Sequence, residues 1–473
     1  MASKPDIFTS KHVHFTGIKG VGMTSLALCL KDLGIKITGS DTEEIFVTDA
    51  TLARNDLAWL KGFSAEHLKP RPDLVIFTGA HGGWDNPEVV EAKRLNIPVL
   101  SHAEALGELT FGKDLITVAG VGGKTTIASM VATLLDSAGR NPSFAVGVGD
   151  IKALGTPGRY DKAGKEFITE ADEYAISPGT DNRPRFFFQH PKVLIIPNLE
   201  HDHPDIYPTF EDTKKVFLEF ISRVPADGLL VACIDNDNVR ELIKNTKVPV
   251  KTYGFSKDAD WKIENVDFKN QKAKYTLIHI GVYYDYSLSV PGKFNILNAT
   301  ASIVAGEFFK IPQDELVRGI ESYTGCRRRI EKVQDMDGIT YYDDYAHHPT
   351  EIKAVLAALR DWYPERRLVA IFQPHTYSRT KALFDEFAQS FGNANVVGLM
   401  DIYASAREKV DPTVNSQKLR EAVGKYHNDS HYCGDHKSTL KFLTKHTQKN
   451  DVIVTMGAGD IFHLYDKLPE VST

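Results

Sequence analysis

In Gly120-Val-Gly-Gly-Lys-Thr-Thr126, glycines, a lysine and two threonines follow an apolar run, Leu115–Ala119, and precede a helical pattern. Ile127, Met130, Val131, Leu134 and Leu135 recur at i, i+3, i+4, i+7 and i+8, the apolar stripe of one helix, which Gly139 would stop. Strand, glycine turn and helix N-terminus together make an anion site, because unpaired backbone N–H groups and the positive end of the helix dipole converge there. Lys124 would set a point charge against β- and γ-phosphate oxygens, and the Thr125 hydroxyl would ligate Mg²⁺. The spacing Gly-x-x-Gly-Lys-Thr is two residues shorter than the general phosphate-loop pattern, and alone it would also fit an ordinary glycine-rich βα turn. The flanking strand and helix favour a nucleoside triphosphate site.

Other polar clusters also follow apolar runs. Glu170-Ala-Asp-Glu173 comes after 166–169, and Asn198-Leu-Glu-His-Asp-His203-Pro-Asp205 after Val193–Ile196. Beyond the carboxyl ends of parallel strands such groups face the ligand crevice, where oxygen ligands suit Mg²⁺ and a histidine would complete a second site. Solvated loop charge is the plain alternative; two clusters beside a phosphate loop favour metal. Asn295 and Asn298, three apart in a small-residue helix, can share one face, and capping explains one of them but hardly both. Gly325-Cys-Arg-Arg-Arg329 is either a solvated turn or a phosphate clamp. Tyr341–Pro349, Gln373–Arg379 and Met456–Asp460 again place polar or glycine-rich runs after strands. Near the start, Gly17-Ile-Lys-Gly20-Val-Gly22 is an imperfect dinucleotide turn, and Asp41 stands where a ribose-binding acid belongs. That segment is either a Rossmann-like half holding a nucleotide diphosphate or a structural βαβ unit.

The elements that must position these groups are strands alternating with helices, which predicts an α/β protein with largely parallel, helix-covered sheets. The stretch 251–290 differs: its short alternating segments read as a small antiparallel sheet. Gly107–Asp114 looks like a linker, and a third segment starts near Tyr323, giving domains at 1–112, 113–322 and 323–473. A chain of 473 residues accommodates them. Hydrophobic content of 42% and charge of 25% are those of an ordinary globular protein, and a net charge of −6 argues against a nucleic-acid ligand. No apolar run reaches the ~18–20 residues of a membrane span, and the N-terminus has no signal-peptide core. Four cysteines without CxxC spacing suggest reduced thiols in a cytoplasmic protein.

Assembled, these motifs resemble those of the Mur ligases, ATP-dependent amide-forming enzymes of peptidoglycan precursor synthesis. The resemblance spans essentially the whole chain. It is carried by Gly-Lys-Thr-Thr (123–126), Glu-Ala-Asp-Glu (170–173), Asn-Leu-Glu-x-Asp-His (198–203), Asn-x-x-Asn-Ala (295–299), Asp-Asp-Tyr-Ala-His-His-Pro-Thr-Glu (343–351) and Phe-Gln-Pro-His-Thr-Tyr-Ser-Arg-Thr (372–380). The last two are similar to the branch that adds L-alanine to UDP-N-acetylmuramate and to its sister that recycles murein tripeptide. The ending Met-Gly-Ala-Gly-Asp-Ile (456–461) favours the former, while residues 170–174 and 198–200 lean towards the latter.

The resemblance implies a UDP-sugar-binding domain, a central ATPase and a Rossmann-like C-terminal domain for the amino acid. It implies ATP bound by Gly120, Gly123, Lys124, Thr125, Thr126, Asn295, Asn298, Arg329 and Asp344, with Mg²⁺ on Thr125, Glu170 and His203. Gly17, Gly20, Gly22 and Asp41 would hold UDP-N-acetylmuramate, and His375 and Arg379 would receive L-alanine. Lys124, His347, His375 and Arg379 would carry the catalysis, through an acyl phosphate. Oligomeric state is left open. The chain departs from the family pattern at Val121-Gly122 in the phosphate loop, at Phe294, at His102 where arginine is common, and in the Pro-, Gly- and Asn-rich stretch Ala175–Pro184. The altered loop motivates one competing reading, a nucleotide-binding relative without the chemistry. A dehydrogenase, suggested only by Gly17–Gly22, has no use for the Gly-Lys-Thr loop or the metal-type clusters.

Overall fold

The structure is a computed structural model that describes residues 6–203, 205–404 and 408–470. Among these residues the chain builds three main sheets, of five, ten and six strands, with helices between the strands, and one two-stranded hairpin. This is the three-domain α/β architecture. Contacts gather it into two compact units: residues up to 267 with 274–289 and 294–326, and residues 268–273 with 290–293 and 327 onwards.

The first unit holds two sheets. Five parallel strands run in the order Leu60–Lys61, Lys36–Asp41, His12–Thr16, Leu74–Phe77, Val99–Ser101, a Rossmann-like arrangement. The helix Val21–Asp32 buries Met23, Leu26, Ala27 and Leu30 and ends before Gly34, whose φ of 86° suits glycine alone. The same helix packs on the neighbouring sheet's edge: Cys29 Sγ donates to the Phe144 carbonyl at 3.2 Å, and a Cβ on Gly158 would sit 2.1 Å from the Ser25 carbonyl oxygen. Leu115, Ala145 and Phe167 therefore join the core of the first sheet. The expected linker at 107–114 is partly helix, since His102–Leu109 runs through Gly107 behind a Ser101–Glu104 capping box.

The second sheet runs Val282–Leu288, Ala273–His279, Trp261–Asp267, Val250–Gly254, Leu229–Cys233, Val193–Ile196, Asp114–Ala119, Glu166–Ala171, Ser143–Ala145, Gly158–Arg159. The antiparallel strands expected at 251–290 form no separate sheet. Trp261–Asp267 pairs in parallel with Val250–Gly254, and the antiparallel strands continue from that edge. The divergent stretch Ala175–Pro184 is the hairpin. Its first strand packs against a glycine-rich loop, where a Cβ on Gly79 would lie 2.2 Å from the Ile176 carbonyl oxygen and one on Gly83 would lie 2.7 Å from Ser177 Oγ.

The second unit holds the strands Glu331–Met336, Ile339–Asp344, Val452–Met456, Leu368–Phe372, Val396–Met400 and Ser430–Gly434, parallel except for the first pair. Pro349 opens the helix Pro349–Trp362, as its fixed φ and missing N–H favour. No helix among the described residues is long and apolar enough to cross a membrane.

One buried carboxylate ties the first sheet together. Glu88, fully buried, accepts hydrogen bonds from Thr16 Oγ1 (2.7 Å) and Ser40 Oγ (2.6 Å), and contacts His14 Nε2 (3.3 Å) and His67 Nδ1 (2.8 Å). Burial works against its charge, but His14, Ser40 and Thr16 outweigh it and hold the carboxyl below its usual range. Glu88→Ala strips these groups of their acceptor, so chemical denaturation is expected to show a loss of ~2–4 kcal/mol at neutral pH. A carboxyl depressed in the folded state contributes its stability above its ordinary pKa, so the gap between parent and variant should narrow below pH 4.5.

Candidate active site

The strand Asp114–Ala119 lies between Glu166–Ala171 and Val193–Ile196, parallel to both, so the residues after all three strands meet at one edge. Gly120 takes φ 132° and Gly123 φ 86°, and a Cβ on either would collide, at 2.5 Å from the Asn198 carbonyl and 2.9 Å from Asn298 Oδ1. Asn198 clasps the loop with both ends of its amide: Gly122 N–H donates to Oδ1 at 2.8 Å, and Nδ2 donates to the Gly122 carbonyl at 2.9 Å. Gly122, one of the residues that depart from the family pattern, is thus held by its backbone, while Val121 beside it is exposed.

Lys124 opens the helix Lys124–Ser137, with Thr125 and Thr126 buried in its first turn. Its Nζ donates to the Gly120 carbonyl and pairs with Glu173 at 3.2 Å. Burial disfavours the ammonium, but Glu173, Asp172 and Glu170 outweigh it and raise the pKa, so the lysine is charged. Thr125 Oγ1 donates to Glu170 Oε2 at 2.9 Å, and Glu170 Oε1 accepts the Gly147 N–H at 2.7 Å.

The metal-type groups sort differently from the pattern read in sequence. His203 gathers with Glu173 and Asp202, their ligand atoms all within 4.8 Å of one another, whereas Glu170, still within its strand, turns to Thr125. His203 Nε2 stands 3.9 Å from Glu173 Oε1 and 3.6 Å from Asp202 Oδ2, and its φ of 56° is one that non-glycine residues rarely hold. Two carboxylates with an imidazole, beside a hydroxyl and a third carboxylate, form an oxygen-rich donor set of the kind Mg²⁺ takes. Neither Glu173 nor Asn198 was singled out in sequence as a contact; their only signal was membership of the two acidic motifs.

Asn295 and Asn298 share a face of the helix Lys293–Phe308, as their spacing predicts. Asn298 Nδ2 donates to Asn295 Oδ1 at 3.1 Å, and Asn298 abuts Gly123. In the first sheet, a Cβ on Gly17 would lie 2.5 Å from Thr78 Cγ2, Gly20 caps the helix that follows, and a Cβ on Gly22 would lie 3.1 Å from His102 Nε2. Asp41 is buried: its Oδ2 accepts the Lys19 N–H and its Oδ1 the Thr42 N–H, both at 2.7 Å, so its carboxylate braces the glycine turn. Burial, with Arg185 nearby, pushes the His102 imidazole down to about 4.

The second unit carries the other predicted groups. Asp344 is buried and pushed up to about 6 by that burial; Oδ2 accepts from Ile330 N at 2.6 Å and Oδ1 from Ala346 N at 2.7 Å. Arg329 lies over the Tyr345 ring at 5.2 Å. Its neighbour Arg328 is buried and structural, paired with Asp343 at 3.0 Å and donating to the carbonyls of Gly457 and Gly459. Gln373 completes the support of that glycine loop through Asp460 Oδ1 (2.6 Å) and the Ile461 N–H (3.1 Å). His347, His375 and Arg379 come together. The two imidazole centroids are 6.4 Å apart, and Arg379 Nη1 donates to the His375 carbonyl at 2.8 Å. His375 stacks on Tyr403 at 5.7 Å, and Glu408 accepts the Tyr377 N–H at 2.8 Å.

Because Asn198 holds Gly122 through both its N–H and its carbonyl, Asn198→Ala should weaken binding of a non-hydrolysable ATP analogue about ten-fold, the ~1.4 kcal/mol of an ordinary hydrogen-bond loss. Asn198→Asp keeps the acceptor, loses the donor and should fall between variant and parent. Titration calorimetry measures both.

Models of three Mur ligase domains match the chain in succession: the Mur ligase family catalytic domain at residues 12–113, the middle domain at 118–306 and the glutamate ligase domain at 328–459. The UDP-N-acetylmuramate–L-alanine ligase of Desulforapulum autotrophicum is 35% identical over 462 residues, covering 97% of this chain and 98% of its own. Among solved structures, the UDP-N-acetylmuramate–alanine ligase MurC of Thermotoga maritima superposes with a TM-score of 0.81 at 25% identity, over 98% of both chains. The murein peptide ligase of Psychrobacter arcticus shares the fold, with a TM-score of 0.70 at 24% identity over 98% of both chains. With its three domains matched in order and its length shared with such relatives, the chain belongs to the Mur ligase family.

Proposed function

We propose that this protein joins L-alanine to UDP-N-acetylmuramate, consuming ATP, in the synthesis of peptidoglycan precursors. The observation that carries the reading is the alignment of 97% of the chain with a relative of that name. The edge formed by Lys124, Thr125, Glu170, Glu173 and His203 supports the ATP half of the reaction. We assign the domains to 1–112, 113–322 and 323–473, with UDP-sugar recognition in the first, ATP in the second and the amino acid in the third. We infer a cytoplasmic location from a reaction that draws on ATP and a UDP-sugar.

A carboxylate is a poor electrophile, so the γ-phosphoryl group of ATP passes first to the muramoyl carboxylate, giving an acyl phosphate. That transfer is mainly positioning and charge neutralisation. In this reading Lys124 exchanges Glu173 for the phosphates, and the N–H groups of the clasped loop and of Thr125 and Thr126 meet the remaining oxygens. Mg²⁺, held by Thr125 with Glu170 and by His203 with Glu173 and Asp202, would neutralise the charge that develops on the transferred group. We assign Asn295 and Asn298 to the nucleotide, Arg329 and Asp344 to its ribose and phosphates, and Gly17, Gly20, Gly22 and Asp41 to the diphosphate of the UDP-sugar. The amine then attacks, phosphate leaves, and the Arg379 fork grips the carboxylate of the single amino acid.

Phosphate release measured with UDP-N-acetylmuramate and ATP is expected to depend on L-alanine, to be weaker with glycine or L-serine and to be small with L-alanyl-γ-D-glutamyl-diaminopimelate. Faster turnover with that tripeptide would assign the chain to the recycling branch, towards which Glu170–Tyr174 leans. Lys124→Ala should leave less than a tenth of normal turnover, a step of more than ~1.4 kcal/mol. Arg379→Lys should raise KM for L-alanine, because a point charge does not replace a bidentate fork. His203→Ala and Glu173→Ala should each raise the Mg²⁺ concentration that gives half-maximal rate, and an unchanged requirement in both would dissolve the proposed ion site.

A further inference from the structure

The acyl-transfer half of the reaction needs a base, because an amine that forms a C–N bond must shed a proton. Two imidazoles stand together in the second unit, and their partners give them opposite tautomers. His347 Nδ1 lies 3.0 Å from the Tyr345 carbonyl oxygen. A carbonyl only accepts, so Nδ1 carries the proton and Nε2 keeps a lone pair. His375 Nδ1 lies 3.3 Å from Arg379 Nη1. A guanidinium only donates, so here Nδ1 is the acceptor and the proton of the neutral ring sits on Nε2.

We propose that His347, held by Glu351, is the base that takes the proton of the attacking amine, and that His375 serves as an N–H donor. The inference rests on the ligase reading given above and divides the work between its two histidines. Glu351 Oε2 stands 3.5 Å from His347 Nδ1, the ring nitrogen opposite the free lone pair. No hydrogen bond occupies His347 Nε2 among the described residues. The charged groups around His347 are Glu351, Arg379 and Arg329, with Tyr345 and His375 packed beside it. Burial, Arg379 and Arg329 lower its pKa, and Glu351 opposes them. Burial, His347 and Arg379 push His375 down to about 4, against a smaller opposing pull from Glu408. A ring with its lone pair turned to a guanidinium and its basicity suppressed is a poor proton acceptor at neutral pH.

The step balances within this arrangement. The lone pair of the neutral α-amine forms the C–N bond to the acyl-phosphate carbon, and the C=O π pair moves onto oxygen. The amine proton passes to His347 Nε2, and the imidazolium so formed faces Glu351. The pair on oxygen then re-forms C=O, the C–O bond to phosphate breaks, and phosphate leaves with that bonding pair.

Glu351 also has a structural duty, which the test must separate. It is the third residue of the helix Pro349–Trp362, and its Oε2 accepts the N–H groups of His347 (3.0 Å) and His348 (3.1 Å) in a capping box. Glutamine performs that duty as well as glutamate. It does not supply the negative charge. Glu351→Gln therefore keeps the cap and removes only the electrostatic support of His347.

The test begins with full-length protein labelled with ¹⁵N-histidine, its His347 and His375 signals assigned through His347→Gln and His375→Gln. Long-range ¹H–¹⁵N spectra at neutral pH should show His347 protonated on Nδ1 and His375 on Nε2; the reverse pair of tautomers overturns the assignment. In Glu351→Gln the His347 titration should move to lower pH by about half a unit or more, and kcat with L-alanine should fall about ten-fold, while KM for ATP, KM for UDP-N-acetylmuramate and the melting temperature stay put. His347→Gln should lose about 100-fold in kcat. If Glu351→Gln leaves both the titration and kcat unchanged, Glu351 is a cap and nothing more. Absence of L-alanine-dependent turnover in the parent would sink the ligase reading; the spectra need no substrate and decide the tautomers regardless.

Discussion

Parallel pairing of Glu166–Ala171, Asp114–Ala119 and Val193–Ile196 is the constraint from which the first unit's chemistry follows. Parallel neighbours end on the same edge, so whatever the chain places after each strand arrives at one spot, however far apart in sequence. Lys124 and Glu173 are 49 residues apart, and Gly122 and Asn198 are 76 apart, yet both pairs touch. The convergence also solves an electrostatic problem. A buried ammonium without a partner is costly, and Glu173 keeps Lys124 charged before any phosphate arrives. An incoming triphosphate competes with an internal carboxylate, which favours ligands of high negative charge over weakly charged ones.

What could be read from the sequence was what is local. The strand, turn and helix at 115–137 were legible because apolar periodicity and glycine chemistry act within a dozen residues, and Asn295 and Asn298 because helical spacing fixes a shared face. What needed coordinates was partner choice. Glu170 and Glu173 belong to one four-residue motif, but the first is still in its strand and meets Thr125 while the second has left it and meets Lys124 and His203. Arg328 and Arg329 are adjacent, but the chain turns at 328, with φ 60°, and it is Arg328 that is buried against the glycine loop. The edge that carries the antiparallel strands was equally out of reach, since pairing between distant strands leaves no trace in a local pattern.

The second unit holds its loops largely through main-chain groups. Arg328 and Gln373 hold the loop Met456–Asp460 by its main chain and by Asp460, and Glu408 holds the turn after His375 by its N–H groups. Fixing main chain through side chains from elsewhere leaves the functional side chains free to face a substrate.

The hairpin Ala175–Pro184 carries a consequence for how such chains diverge. Its carbonyl at Ile176 lies where a side chain on Gly79 would begin, and Ser177 Oγ where one on Gly83 would begin. Residues 79–83 and 175–184 are therefore one unit of inheritance, though nearly a hundred positions separate them in the gene product. A recombination that moves the hairpin into a relative with any larger residue at position 79 delivers an ornament with no seat, and only a paired exchange of both segments transfers the architecture intact.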